Sequence, residues 1–137
     1  MERSFPATAA QLPDLLAFIE DSALALSLPG GMVIKLLLVV EELFLNTVHH
    51  GGPPAQTAPV RLQLQRLADA AVLRYEDSAD AYNPFTRLDH RALDLPLAQR
   101  PVGQLGVILI SGFATQASHS RIGERNCIEI RLAIAAH

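Results

Sequence analysis

At 137 residues, half of them apolar, the chain has material for one hydrophobic core and is expected to fold as a single domain over 1–137. Its formal charge of −3 comes from 14 acidic residues against 11 Lys and Arg, scattered rather than run together, which argues against the basic stripe that binding a nucleic-acid backbone requires. Cys127 is the only cysteine, the start "MERSFPATAA" lacks the basic-then-apolar order of a secretory leader, and the longest apolar run, Leu36 to Val40, falls far short of the about 20 residues of a membrane span. The expectation is a cytoplasmic protein without an intrachain disulfide, acting on neither nucleic acid nor membrane.

In chain order, a short extended start at Arg3 to Phe5 precedes Ala7 to Leu26, where Leu12, Leu15, Leu16, Ile19, Ala23 and Leu26 recur at helical spacing. Pro29-Gly30-Gly31 ends that helix. Met32 to His50 reads as a second helix, apolar almost all round and therefore expected to be buried, which stops at Gly51-Gly52-Pro53-Pro54. From Val60, apolar and polar residues alternate through Leu62 and Leu64, and after a turn near Ala68 to Ala70 the alternation resumes through Ala71, Leu73, Tyr75 and Asp77. This predicts two antiparallel strands. Asn83 to Val102, with Pro84 and Pro96, reads as a long, partly irregular loop, and loops of that length are usually functional or disordered. Leu105 to Ala114 reads as a short helix, and Gln116 to Ile134 as a hairpin turning at Gly123-Glu124-Arg125-Asn126. Helices on one side of a mostly antiparallel sheet make a two-layer α/β sandwich.

The second helix carries polar groups that its apolar surroundings do not explain. Residues four apart on a helix lie about 40 degrees apart, so Glu42, Asn46 and His50 form one drifting stripe, with His49 and Lys35 near the same face. A buried bare carboxylate costs several kcal/mol unless paired or bound to a cation, roughly the scale on which cores are built. The stripe therefore faces either a polar cleft or the solvent edge. Zinc has little support, because adjacent helical residues such as His49 and His50 point about 100 degrees apart and no His-Glu-x-x-His or paired cysteines are present.

Two further stretches bear on that choice. Asp77 ends its strand in phase with Leu73 and Tyr75, so it points toward the helix layer, where a carboxylate can read a ligand; it can equally open the turn "DSADAYNP". In "RPVGQLGVILI", Gly103 and Gly106 open a helix whose free N–H groups suit a phosphate, or else they serve a tight turn and close packing.

Together and in this order, the three stretches resemble the nucleotide-binding boxes of the GHKL ATPase superfamily, most closely the anti-sigma-factor serine/threonine kinases of bacterial partner switching. "EELFLNTVHHG" resembles the family's asparagine box, Glu-x-x-x-Asn-x-x-x-His-Gly, with Glu42, Asn46, His50 and Gly51 in register. "YEDSADAYNP" resembles the first glycine box, and "DLPLAQRPVGQLGVILI" the lid and second glycine box. Ala79 stands where the first glycine box has glycine two residues after its Asp, and Gln104 stands in the second place of a segment that often reads Gly-Gly-Leu-Gly.

The resemblance implies the Bergerat α/β sandwich with Mg-ATP between helices and sheet. It makes Glu42 the general base and Asn46 the magnesium ligand. His50 and Ala79 join the ATP site, Asp77 hydrogen-bonds the adenine amino group, and Gly103 and Gly106 contact phosphate. It also implies the partners of a partner switch, a sigma factor to sequester and an antagonist to phosphorylate on serine or threonine, and leaves a homodimer open. The competing expectation, raised by Ala79 and Gln104, is a non-catalytic module of the same fold that captures a regulator. A methyl at position 79 would then either fill the space beneath the adenine or force a turn that only glycine adopts easily.

Overall fold

The structure, a computed structural model, describes residues 1–56, 58–80 and 114–134. The expected loop at Asn83 to Val102, the expected helix from Leu105 up to residue 113, and Gly103, Gln104 and Gly106 lie outside the described residues. In chain order come β1 (Glu2–Phe5), a 3-10 turn (Ala9–Gln11), α1 (Leu12–Ala25), α2 (Gly30–His50) and a second 3-10 turn (Pro53–Gln56). The strands β2 (Val60–Arg66), β3 (Ala70–Asp77), β4 (Ala114–Ile122) and β5 (Arg125–Ala133) follow.

The first helix starts later than its apolar spacing predicts, at Leu12 rather than Ala7. Pro13 explains the new start, because a proline in the first helical turn has no N–H to leave unsatisfied and its φ is already helical. At the other end Ser27 takes a left-handed φ of 53°. Leu28 N–H donates to Ala23 O at 3.0 Å and Ser27 N–H to Leu24 O at 3.0 Å, the two bonds of a Schellman cap with serine where glycine is usual. The Arg66 guanidinium donates to the last carbonyls, Leu26 O at 3.0 Å and Ser27 O at 2.6 Å.

α2 presents Leu36, Val39, Val40, Leu43, Phe44 and Thr47 to the sheet and α1, all fully buried. Contrary to its composition, the helix is not buried all round: Ile34 is 63% exposed, and Leu37, Leu38 and Leu45 are only partly covered. Each fully buried leucine of this face contributes about 2 kcal/mol by leaving water. No helix among the described residues is long and apolar enough to cross a membrane.

The five strands form one sheet in the order β1-β2-β3-β5-β4, and every described pairing is antiparallel. Both helices lie on the face carrying Val60, Leu62, Leu64, Leu73, Tyr75 and Ile130, which gives the expected two-layer sandwich. The opposite face is charged. There Glu76 lies 3.6 Å from Arg61, 3.3 Å from Arg74 and 3.8 Å from Arg125, and accepts an S–H from Cys127 at 3.6 Å.

The β4–β5 hairpin turns on two residues, Gly123 and Glu124, rather than on the expected four. Gly123 has φ 61° and Glu124 does not share the positive sign, the pattern of a type II′ turn whose twist suits the flanking strands. The tighter turn moves Arg125 and Asn126 out of the loop and into β5, and sets Asn126 opposite Asp77 on β3. β4 also begins earlier than expected, at Ala114.

Candidate active site at the end of the third strand

Asp77 closes β3 and is fully buried, with its side chain on the helix face of the sheet. Three protein donors converge on it. Thr47 Oγ1 of α2 donates to Oδ2 at 2.7 Å, Asn126 Nδ2 of β5 donates to Oδ1 at 2.9 Å, and the Ala79 N–H donates to Oδ1 at 3.3 Å. An ionised carboxylate has about four acceptor directions, so the described residues leave one, on Oδ2 beside Thr47.

Thr47 has a single hydroxyl proton and two acceptors in reach, Asp77 Oδ2 and Leu43 O at 3.1 Å. The charged and nearer acceptor takes it. Tyr75 then supplies its own proton to Thr47 Oγ1 or to Leu43 O, which lies 3.2 Å from the phenol. A fully buried chain of hydroxyls thus ties α2 to β3 next to the carboxylate.

Glu42 and Asn46 lie one turn apart on α2, both half-buried, on the flank next to the buried ridge that contains Leu43 and Thr47. No hydrogen bond or ion pair engages either side chain among the described residues. His50 ends α2, and His49 beside it is exposed. Gly51 terminates the helix and donates its N–H to Thr47 O at 3.0 Å. A Cβ at Gly51 would sit 2.4 Å from Thr47 O, 2.7 Å from the Ala55 methyl and 3.0 Å from the Ala79 methyl, so glycine is required here by space.

Ala79 is fully buried against Gly51, and its φ is not in the left-handed region. Of the two alternatives for this position, a turn that only glycine adopts easily does not occur; the methyl fills space beside Gly51. The turn after β3 is held from several sides. Asn126 Nδ2 lies 3.2 Å from Ala79 O and 3.0 Å from Asp80 O, Arg121 Nη1 donates to Ala79 O at 2.8 Å, Asp80 N–H donates to Gly51 O at 3.2 Å, and Ser78 Oγ donates to Pro54 O at 2.9 Å. Beyond this turn opens a cleft of about 490 Å³ lined by Pro53, Pro54, Ser78, Asp80, Arg121 and Glu124.

Of the residues predicted for the site, Asp77, Ala79 and Gly51 touch one another's surroundings directly, and Asn46 precedes the threonine that binds Asp77. Gly103, Gly106 and the His50 side chain lie outside what the structure describes. Sequence reasoning missed Thr47, which reads as one more β-branched core residue, and Asn126, which reads as a turn residue. It also missed His119, whose Nε2 lies 3.2 Å from Asn126 Oδ1. A signal existed for Asn126 only in the Gly123-Glu124 pair, since a two-residue turn fixes the register that sets it opposite Asp77.

The oxygen donors suit a small hard cation. A neutral amide oxygen at Asn46 with a carboxylate one turn away matches a magnesium ion that keeps several waters and takes substrate phosphate oxygens. Among the described residues no three His, Cys, Asp or Glu side chains converge as a protein-only metal cage.

A chain of the SiaB–SiaC complex from Pseudomonas aeruginosa has a similar fold, with a TM-score of 0.59 at 13% identity over 98% of this chain and 89% of that one. No curated protein matches this chain in sequence. Residues 5–132 match the model of the histidine kinase-like ATPase domain, nearly the whole chain. The chain therefore belongs to the histidine kinase-like ATPase domain family.

Proposed function

We propose that the chain binds Mg-ATP between α2 and the sheet and transfers the γ-phosphoryl group to a serine or threonine of a small partner protein, as the kinase of a partner switch in which it also sequesters a sigma factor. The observation that carries this reading is Asp77, turned onto α2 and bonded there to Thr47, the residue after Asn46, with one acceptor direction left among the described residues. It brings a base-reading carboxylate to the same helix that carries Glu42 and Asn46. Membership of an ATPase family supports the nucleotide, and the complex formed by the SiaB–SiaC neighbour supports a second protein as partner.

In this reading Asp77 Oδ2 accepts a hydrogen bond from the adenine amino group, while Asn46, with Gly103, Gly106 and His50 by resemblance, serves the metal and phosphate end. Magnesium, when bound, offsets the charge of the phosphate oxygens and is held by Asn46. Glu42 accepts the proton of the attacking hydroxyl as its oxygen bonds to the γ-phosphorus and ADP leaves. Half-burial suits a base that must meet an incoming side chain.

A second reading, a non-catalytic module of the same fold, is favoured by the complete enclosure of Asp77 and by the Ala79 methyl packed against Gly51. Thermal melting with millimolar Mg-ATP separates the two, since a ligand of the native state raises its stability by RT ln(1 + [L]/Kd). A shift in the parent protein supports nucleotide binding, and its absence in a folded sample refutes it. With a partner recovered from the host, Glu42→Gln is expected to lower phosphate transfer by about 100-fold or more while the melting shift survives. Transfer at the parental rate would remove Glu42 from the role of base.

A further inference from the structure

We propose that Asn126 is the positioning residue of this site, fixing which edge of Asp77 a ligand meets and holding the turn Ser78 to Asp80 in place. Its amide is fully buried and its orientation is forced by its neighbours. The Nδ2 group faces three oxygens, Asp77 Oδ1 at 2.9 Å, Asp80 O at 3.0 Å and Ala79 O at 3.2 Å, so the NH2 end must point there. The Oδ1 end faces His119 Nε2 at 3.2 Å, which must then carry the proton and donate.

The consequence is chemical selectivity. Asn126 and the Ala79 N–H occupy Oδ1 from two directions, and Thr47 takes one direction of Oδ2. Among the described residues, what remains is a single acceptor on a carboxylate held from both ends. Such a group accepts a donor, such as the exocyclic amino group of adenine, and repels an oxygen at the same place, such as the 6-oxo group of hypoxanthine. Without Asn126 the carboxylate loses its tether to β5 and can turn, and the discrimination is lost with it. The turn carbonyls of Ala79 and Asp80 lose a donor at the same time, and Asp80 lies at the edge of the cleft.

Base selectivity rests on the nucleotide reading above, whereas the clamp on the turn does not, and the test measures both. In Asn126→Ala, backbone amide exchange at Ala79 and Asp80 in the nucleotide-free protein is expected to rise about tenfold or more. The affinity ratio of ATP to inosine triphosphate, measured by calorimetry, is expected to fall about tenfold or more toward unity. His119→Ala, which removes only the partner of the amide oxygen, is expected to move both quantities in the same direction by a smaller factor, and it carries the test if Asn126→Ala does not fold. A folded Asn126→Ala with parental exchange at Ala79 and Asp80 overturns the clamp. An unchanged ATP to inosine triphosphate ratio in a folded variant overturns the positioning of Asp77, because a merely structural role would weaken both nucleotides alike. If the parent binds neither nucleotide but exchange still rises in the variant, the nucleotide reading fails, base selectivity falls with it, and the clamp stands.

Discussion

Thr47 and Asp77, 30 residues apart in the chain, meet through a hydrogen bond of 2.7 Å that joins α2 to the end of β3. The bond is buried, so neither partner has water as a substitute. Thr47→Val keeps the shape and removes the hydroxyl, leaving Asp77 Oδ2 without its donor and turning the Tyr75 proton to Leu43 O. The variant is expected to be less stable by about 1–3 kcal/mol in urea unfolding. An unchanged midpoint would show that the contact contributes nothing.

Ala79→Gly tests whether the missing glycine of the first glycine box weakens the site. Since Ala79 has an ordinary φ and its methyl packs on Gly51, glycine relieves no strain. It adds unfolded-state freedom of about 0.4–1 kcal/mol and opens a small void. A lower melting temperature with no gain in Mg-ATP affinity is expected; a clear gain would mean that the methyl obstructs the nucleotide. Gly51→Ala, which drives a methyl against Thr47 O and two side chains, is expected to destabilise by about 1–3 kcal/mol.

The helices and the β2–β3 pair were legible because each repeats its own period over many residues, as Leu36, Val39, Val40 and Leu43 do on α2 and Leu62 and Leu64 do on β2. The position of Asp77 on the helix face follows from the same alternation. What surrounds it does not. Asn126 reaches Asp77 only after the chain has traversed 49 residues and returned through a hairpin, and the register of that return depends on where the turn residues stop. Thr47 was illegible for a different reason: in an apolar helix a β-branched residue matches the core pattern, and nothing local tells that its hydroxyl has a buried carboxylate to bind. The seating of β5 between β3 and β4 is likewise a matter of long-range pairing.

Ser27 offers a gain in stability. Its left-handed φ of 53° at the end of α1 is strained for a residue with a Cβ, and the cap bonds on either side need only the backbone. Ser27→Gly is expected to raise stability by about 0.5–1 kcal/mol, the relief of strain exceeding the added chain entropy, and to raise the melting temperature by a few degrees. A lower melting temperature would contradict the cap.

Cys127 gives a pH signature. Burial, and then the neighbouring Glu76 carboxylate, push its thiol above the ordinary value of 9.0. The unfolded chain therefore loses this proton first, so the thiol's share of stability is complete below the unfolded value and is lost as pH rises through the folded one. Unfolding measured from neutral pH upward is expected to show a shallower alkaline decline in Cys127→Ala than in the parent. At mildly alkaline pH, Cys127 is also expected to alkylate more slowly than a free thiol. Equal slopes in the two proteins would show that the thiol is not held up.

The phenol of Tyr75, bonded into the hydroxyl chain beside Asp77, also makes the site optically visible. The chain contains no tryptophan and only one other tyrosine, Tyr82, so ultraviolet emission excited on the red side of the phenylalanine band arises from phenol groups alone. Tyr75 emission depends on the hydrogen bonds its hydroxyl makes, and those bonds run through Thr47 to the carboxylate. The unlabelled protein, with Tyr75→Phe as the blank, can therefore be titrated and followed in real time without an attached dye.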